Sequence, residues 1–335
     1  MTLLTQWKEA LFRKGFRRTW ARYRNRVAHR TSEADFVDAF RRLDLPTGST
    51  LMVHARLSSF GHLADGPESI IRALQTAVPG CTVVMPTFPF ARTMSEYLDS
   101  DPLFDPPRTP SQSGLLSEAF RQMPHVKRSI HPTHPFAALG PRADEILDGS
   151  EHSLTPFGPS SAYGRTAALP TTYQVLLDTN SSSIVHVIQE QIGMPNLFLE
   201  SPRVARGLDR AGTERLYEVK VHTPRTPLYV AVPEPGGSVQ FVWMPDYCLL
   251  FPTRNRSRTY EQIRSPQARE MIAAREKQLL DQGVLRTTSL DSAEILSMHA
   301  KPWLDTLCAE LATNISLNRQ AYERAPELVP RAGTG

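Results

Sequence analysis

The chain has 335 residues, of which 40% are hydrophobic and 21% charged, enough for a sizeable core in one large domain or two small ones. No apolar run is long enough to span a bilayer, which excludes an integral membrane protein of the helical kind. Cys81, Cys248 and Cys308 lie far apart, which favours a reducing compartment over a disulfide framework. No apolar signal-peptide core follows the first charges, so we expect a cytoplasmic protein.

Positive charge is concentrated in the first thirty residues. The formal net charge is +4, but residues 1–30 hold nine Lys or Arg against Glu9 alone, so this segment carries +8 and the remainder −4. Phe12, Phe16 and Trp20 recur at helical spacing, which predicts a basic amphipathic helix. We interpret it as packing on the body or on a second subunit of a homodimer. The alternatives are an anionic surface or an acidic acyl carrier protein; nucleic acid is not expected.

The domain proper is predicted over residues 31–325, with a flexible tail over 326–335. Ser32 and Asp35 form a capping-box-like start for a short amphipathic helix. Predicted helices then alternate with buried strands, which is typical of an α/β domain with a central, mostly parallel sheet flanked by helices. The strands are predicted at 49–53, 82–88, 136–139 and 173–177, and the helices at 66–74, 114–121, 266–282 and 304–317.

Ligands of such sheets usually bind beyond the carboxyl ends of the strands, where His54 and Thr87 are expected. The segment after the first strand contains Ser58 and Ser59, whose small hydroxyls leave room for phosphate to reach backbone amides. Arg56 either adds a charge-assisted phosphate contact or points to solvent. From the residues alone, a serine-rich helix cap is an equally good interpretation.

The most distinctive stretch is residues 128–140, which contains His131 and His134. Pro132 and Pro135 exclude a helix, so both imidazoles are expected on stiff, extended backbone. Two interpretations remain. The histidines are hydrogen-bonded struts before a buried strand, which physical reasoning alone favours, or they form a rigid platform that presents imidazole to a cleft.

A further polar segment follows the strand at 173–177. The chain passes through Asp178 and Asn180 into a helix with His186 and Glu190, which are four residues apart and therefore on one face. Before it, residues 89–112 are rich in proline and lack helical periodicity, as is typical of a functional or disordered loop. The ten histidines form no recognisable metal-ligand set, so no metal is expected.

Several of these segments, in this order and spacing, resemble the aminoglycoside 3-N-acetyltransferase family. The resemblance lies in His-Pro-Thr-His at 131–134 with the strand after it, Pro-Thr-Phe at 86–88, Pro-Phe-Gly at 156–158, and the strand, turn and helix around His186. It implies an α/β fold distinct from the common GNAT acetyltransferases. It also implies transfer of an acetyl group from acetyl-CoA, or another acyl-CoA or acyl-pantetheine donor, to an amine.

The resemblance further implies roles for individual residues. His186 matches the family's general base, which takes the proton that an ammonium must lose. Glu190 is a candidate partner for it, and His131 and His134 order the site or assist. The donor side is expected to comprise His54, Arg56, Ser58, Ser59, Phe60, Thr87, Phe88 and Ser111. The acceptor side is expected to comprise Asp178, Asn180 and Glu218.

The chain also departs from the family pattern. Gln189 stands where the family has a glutamate, and Pro135 follows the second histidine in place of a small serine. We therefore expect a small-molecule amine other than a clinical aminoglycoside, such as a metabolite in natural-product assembly. The alternatives are a true aminoglycoside 3-N-acetyltransferase that confers resistance, an O-acyltransferase or carrier-protein-dependent acyltransferase, and a catalytically silent CoA-binding or scaffold protein.

Overall fold

The computed structural model describes residues 30–179, 182–194, 197–222, 229–233, 236, 239–243 and 266–313. The predicted N-terminal helix (except Arg30), Asn180 and the predicted tail lie outside these ranges, so the predicted domain boundaries stay predictions. Among the residues described, no helix is both long and apolar enough to cross a membrane.

Strands and helices alternate through most of the described chain. The strands are β1 (Arg30–Thr31), β2 (Thr50–Ala55), β3 (His62–Leu63), β4 (Thr82–Pro86), β5 (Leu103–Phe104), β6 (Lys127–Arg128), β7 (Phe136–Leu139), β8 (Thr172–Leu177), β9 (Arg203–Leu208), β10 (Glu214–Val219), β11 (Tyr229–Pro233), β12 (Val239–Trp243), β13 (Leu285–Leu290) and β14 (Ala293–His299). The helices are α1 (Glu33–Arg41), α2 (Ser69–Ala77), α3 (Met94–Asp99), α4 (Leu115–Gln122), α5 (Ala143–Leu147), α6 (Ala162–Ala168), α7 (Ile184–Gln191), α8 (Pro266–Asp281) and α9 (Ala300–Thr313).

The main sheet has seven strands in the order β13-β14-β8-β2-β4-β7-β6. Only the pairings of β2 with β8 and with β4 are parallel; the other four pairings are antiparallel. The predicted α/β class, with helices on a central sheet, is confirmed, but the sheet is mixed rather than mostly parallel. β13 and β14 pair antiparallel because a tight turn joins them, in which Asp291 has a φ of 52°.

Two hydrophobic layers cover the faces of this sheet. Alternate residues of a strand point to opposite faces, and Leu51 and Val53 accordingly pack with α1, α2 and α4. Met52 packs on the other face with α5, α6, α7 and α9. This three-layer arrangement fixes the position of α7, which carries His186, against the end of β8.

The start of α1 is stabilised as its sequence predicts. The Ser32 hydroxyl accepts a hydrogen bond from the Asp35 amide, and the Asp35 carboxylate accepts one from the Ser32 amide at 2.8 Å. Such a reciprocal cap satisfies two amides that the helix itself leaves unpaired.

Gly140, which follows β7, is required by the packing of the sheet. Its φ is +135°, and a Cβ at this position would lie 2.5 Å from the Cys81 carbonyl oxygen and 2.7 Å from Thr82 Cα. Since these are backbone atoms at the start of β4, they cannot move aside alone. We expect Gly140→Ala to lower the free energy of unfolding by about 2–4 kcal/mol, measured by urea denaturation.

Gly48→Ala is the matched control for this substitution. Gly48 also has a positive φ, +76°, but nothing lies within 4 Å of its Cβ position. Gly48→Ala should therefore lower the free energy of unfolding by only about 1 kcal/mol, through backbone strain. Equal losses at the two glycines would contradict the packing argument.

Candidate active site

Three parallel strands end at one edge of the main sheet and bring polar residues together there. His54 lies near the end of β2, Thr87 directly follows β4, and Asp178 directly follows β8. Because β7 runs antiparallel to β4, the segment that precedes β7, with His134, reaches the same edge. The sequence predicted His54 and Thr87 at this edge, from the carboxyl ends of the strands.

Three imidazoles surround the ring of Phe157, and a fourth lies beside one of them. Its centroid lies 5.1 Å from that of His134, 4.9 Å from that of His186 and 5.4 Å from that of His222. The His131 ring lies next to His134, with 6.2 Å between centroids. Within the described ranges these side chains are not arranged as a metal-binding group. We call these five residues the histidine cluster.

His131 is held in place by hydrogen bonds to both of its ring nitrogens. Its Nδ1 accepts hydrogen bonds from the backbone amides of Thr133 (3.3 Å) and His134 (3.1 Å). The proton is thereby assigned to Nε2, which donates to the Ser153 carbonyl at 3.3 Å. Burial lowers the pKa of His131 to about 4. Both nitrogens are engaged, so His131 supports the loop, and any assistance to catalysis stays a prediction.

His134 lies among aromatic rings and is hydrogen-bonded to its neighbour in the chain. Its Nδ1 lies 3.0 Å from the Thr133 hydroxyl. The rings of Phe88 and Phe90 lie 4.7 and 5.4 Å from its centroid. Burial and then the neighbouring imidazoles hold the pKa of His134 well below its ordinary value. His134 and the predicted donor-side residue Phe88 therefore contact each other.

His186 projects from α7 and is held by Gln189. Its Nδ1 lies 2.7 Å from Gln189 Oε1, so Nδ1–H donates and Nε2 keeps its lone pair. Burial, followed by the charge of His222, lowers the pKa of His186 to about 3, and the bond to Gln189 opposes this shift. The position predicted to depart from the family is thus the one that contacts His186.

Glu190 pairs with a different histidine from the one expected. Its Oε1 lies 2.8 Å from His222 Nε2 and accepts a hydrogen bond from the Phe157 amide at 3.1 Å. Both side chains are largely buried, with exposed fractions of 13% for His222 and 6% for Glu190. Sequence reasoning missed His222 because its partner is 32 residues away. The signal available in the sequence is its place just after residues 217–220, a segment that is typical of a strand.

The donor-side residues after β2 separate into two groups. Ser58 and Ser59 lie in a single 3-10 turn, Leu57–Ser59, and the Ser58 side chain is exposed. Arg56 precedes this turn, and its amide donates to Leu177 O at 2.9 Å. The Phe60 ring, by contrast, is 3% exposed and belongs to the hydrophobic core. The hydroxyls of Ser58 and Ser59 are therefore the groups presented near this edge.

His54 lies in β2 just before this turn. Its Nε2 is 3.4 Å from the Tyr163 hydroxyl, and its buried Nδ1 has no hydrogen-bond partner in the part of the chain described. Burial lowers the pKa of His54 to about 4. A buried, unpaired imidazole nitrogen at the end of a strand is suited to a ligand contact.

Arg128 organises the stretch 89–112, which was predicted to be irregular but contains α3 and β5. Its guanidinium donates to the carbonyl oxygens of Pro106 at 2.8 Å, Thr109 at 2.5 Å and Thr87 at 2.6 Å. Arg128 Nε also donates to the Thr87 hydroxyl, and the Ser111 hydroxyl accepts from the Ser113 amide. Both hydroxyls stabilise this loop; their contact with a donor stays a prediction.

The residues predicted on the acceptor side lie apart. Asp178, with a φ of 47°, accepts a hydrogen bond from the Glu294 amide at 3.2 Å and so joins β8 to β14. Glu218 is exposed on β10, opposite Val204. No contact among the described residues joins Glu218 to the histidine cluster, and Asn180 lies outside those residues.

Gln189→Glu tests the environment of His186. A carboxylate on Nδ1–H would stabilise the imidazolium, so we expect the pKa of His186 to rise by about one to three pH units. The measurement is an NMR titration of the His186 ring. Gln191→Glu makes the same change at an exposed position of α7 and should leave this pKa unchanged. An unmoved pKa in Gln189→Glu would contradict the assigned contact.

The sequence matches a family profile described as aminoglycoside 3-N-acetyltransferase over residues 52–311. It is 37% identical to aminoglycoside N(3)-acetyltransferase IV of Salmonella sp over 148 residues, 43% of this chain and 52% of that protein. It is 33% identical to aminoglycoside N(3)-acetyltransferase VII of Streptomyces paromomycinus over 142 residues, 38% of this chain and 49% of that protein. The chain thus spans about half the length of these relatives.

Solved structures agree with this fold. AAC-IIIb in a binary complex with CoASH superposes with a TM-score of 0.60 at 20% identity, covering 85% of this chain and 97% of that chain. The YokD protein from Bacillus subtilis gives 0.61 at 20% identity, covering 88% and 98%. The fold predicted from the sequence motifs is therefore confirmed. With its profile match across most of the domain, the chain belongs to the aminoglycoside 3-N-acetyltransferase family.

Proposed function

We propose that the protein transfers an acetyl group from acetyl-CoA to the amine of a small molecule, with His186 as a general base. The observation that carries this proposal is the contact between His186 Nδ1 and Gln189 Oε1, 2.7 Å, which leaves the Nε2 lone pair free to accept a proton. Family membership supports the reaction class. Proton transfer to a positioned imidazole contributes about 10²–10⁴-fold to such reactions.

The reaction needs no covalent intermediate. The amine nitrogen attacks the thioester carbonyl directly, and holding the two reactants side by side supplies much of the rate. We place the donor along the edge formed by His54, Ser58 and Ser59, where hydroxyls and an unpaired nitrogen are available. Arg56 is placed near the phosphates. The CoASH complex of AAC-IIIb, a protein of the same fold, supports a CoA donor.

We propose an acceptor with fewer positive charges than an aminoglycoside. The described contacts of the histidine cluster include one carboxylate, Glu190, and it is already paired with His222 and the Phe157 amide. The remaining contacts are imidazole and phenyl rings and uncharged hydrogen-bonding groups such as Gln189 and Thr133, which suit an amine with little positive charge. An aminoglycoside is the second candidate, because the relatives from Salmonella and Streptomyces are named aminoglycoside N(3)-acetyltransferases.

Release of the CoA thiol over an acceptor panel tests this proposal. The panel comprises monoamines, aminoglycosides and alcohols, each with acetyl-CoA and with His186→Ala in parallel. We expect thiol release with monoamines that collapses in the variant. Release with aminoglycosides alone would select the second candidate, release with alcohols alone would indicate O-acyl transfer, and no release with any acceptor would refute the proposal.

We also propose that residues 1–30 serve a docking role, since this segment carries +8 on a chain whose remainder carries −4. An acidic acyl carrier protein is the partner that such charge would attract. The test compares turnover of a carrier-bound acyl donor with that of acetyl-CoA, in the full chain and after deletion of residues 1–30. Unchanged turnover of the carrier-bound donor after deletion would exclude docking.

A further inference from the structure

Amide formation removes two protons from the acceptor nitrogen. An alkylamine is an ammonium at neutral pH, and the balanced reaction is R–NH₃⁺ + acetyl–S–CoA → R–NH–acetyl + HS–CoA + H⁺. The C–N bond forms and the C–S bond breaks. One proton must leave before the lone pair can attack. The second leaves the nitrogen as the tetrahedral intermediate collapses, and the expelled thiolate ends with a proton.

His186 is suited to the second of these transfers. Its hydrogen-bond partner, Gln189, is an uncharged amide that is fully buried. Burial makes an imidazolium unfavourable here and lowers the pKa of His186, and Gln189 supplies no negative charge to offset that burial. His186 therefore holds a proton only briefly, as is required of a group that passes it to the departing sulfur.

His222 has the opposite environment. Its Nε2 lies 2.8 Å from the carboxylate of Glu190, which leaves Nδ1 to accept a proton. The carboxylate is itself fixed by the Phe157 amide at 3.1 Å, so it is positioned to stabilise an imidazolium by a charge-assisted hydrogen bond. The centroids of His222 and His186 are 5.0 Å apart, and both rings contact Phe157.

We propose that His222, positioned by Glu190, removes the first proton from the acceptor ammonium and releases it to solvent, whereas His186 transfers the second proton from nitrogen to the CoA sulfur. The two histidines thus divide the two proton transfers of one reaction. This inference rests on the proposed N-acetyl transfer. His222 is then a catalytic residue, and Glu190 is a positioning residue that acts through it.

Changing the charge of the acceptor tests this division. The probes are the best monoamine from the acceptor panel and its β-fluorinated analogue, in which fluorine atoms on the second carbon from the nitrogen lower its basicity and leave a neutral amine at the assay pH. We expect His222→Asn to lower kcat/KM at least about 100-fold for the ammonium form and less than about 10-fold for the neutral analogue. The His186→Ala variant should lose activity with both acceptors.

Two further variants distinguish a loss of catalysis from a loss of folded structure. Glu190→Gln keeps an oxygen for the Phe157 amide but removes the charge, so it should show the same dependence on acceptor charge with a smaller loss. His152→Asn changes an 81% exposed histidine that lies 3.8 Å from Glu151, and should leave both acceptors unaffected. Equal losses for the two acceptors in His222→Asn and Glu190→Gln would overturn the inference. Absence of turnover in the unaltered protein would instead refute the proposed function.

Discussion

His186→Ala is expected to lower kcat/KM for acetyl transfer by about 10²–10⁴-fold, the usual contribution of a positioned general base. Acetyl-CoA binding should persist, because the groups proposed for the donor lie at the ends of β2 and β4 rather than on α7. Steady-state kinetics gives the loss in turnover, and calorimetry gives the affinity for acetyl-CoA. A loss confined to kcat would identify a group that acts in the reaction itself.

His299→Ala is the matched control. His299 is also hydrogen-bonded, with its Nε2 2.7 Å from the Pro170 carbonyl, and its ring stacks on Tyr173 at 4.6 Å. It pairs with the start of β8, so it lies at the opposite edge of the sheet from Asp178. Similar losses in the two variants would show that the effect of His186→Ala comes from packing and not from base catalysis.

Acid is expected to destabilise the protein strongly. Burial lowers the pKa values of His54 and His131 to about 4 and that of His186 to about 3, and holds that of His134 well below its ordinary value. An unfolded histidine titrates near pH 6.5. Between pH 6.5 and about 4 the unfolded chain therefore binds more protons than the folded chain. As the pH is lowered through this range, the free energy of unfolding decreases by up to about 1.4 kcal/mol per pH unit for each group.

Urea denaturation at several pH values between 7.5 and 5 measures this loss. Stability should be constant above pH 7 and fall steeply below 6.5. His54→Gln removes one of the groups with little loss of bonding, since His54 Nδ1 is unpaired within the described residues. The slope should then be shallower by about 1.4 kcal/mol per pH unit. A flat profile, or equal slopes in the two proteins, would contradict the buried neutral imidazoles.

Local features of the fold could be predicted from the sequence. The Ser32–Asp35 cap and the buried strand after Cys81 each depend on residues close together in the chain. The prediction of extended backbone over residues 131–135 was wrong, because residues 132–134 bend so that the Thr133 and His134 amides reach His131 Nδ1. The direction of the outer strands could not be predicted in this way. Whether β7 lies parallel or antiparallel to β4 depends on long-range pairing, and the alternation of strands and helices carries no information on it.

The same distinction between local and long-range contacts applies to the candidate site. His186 could be found because the strand, turn and helix around it resemble those of the family. Its contact with Gln189 is three residues along the chain, within reach on one helical face. The pairing of Glu190 with His222 joins residues that only the fold brings together. The burial of Phe60 also could not be predicted from local sequence, since it depends on Phe36, 5.3 Å away between ring centroids.

The most direct test of N-acetyl transfer is product stoichiometry. The full chain is incubated with acetyl-CoA and the best amine of the panel, and the CoA thiol and N-acetylated amine are quantified by mass spectrometry. We predict one acetylated amine for each thiol released, with both products lost in His186→Ala. Thiol release without acetylated amine, or acetyl-CoA binding without thiol release for every acceptor, would contradict the assignment of this protein as an N-acetyltransferase.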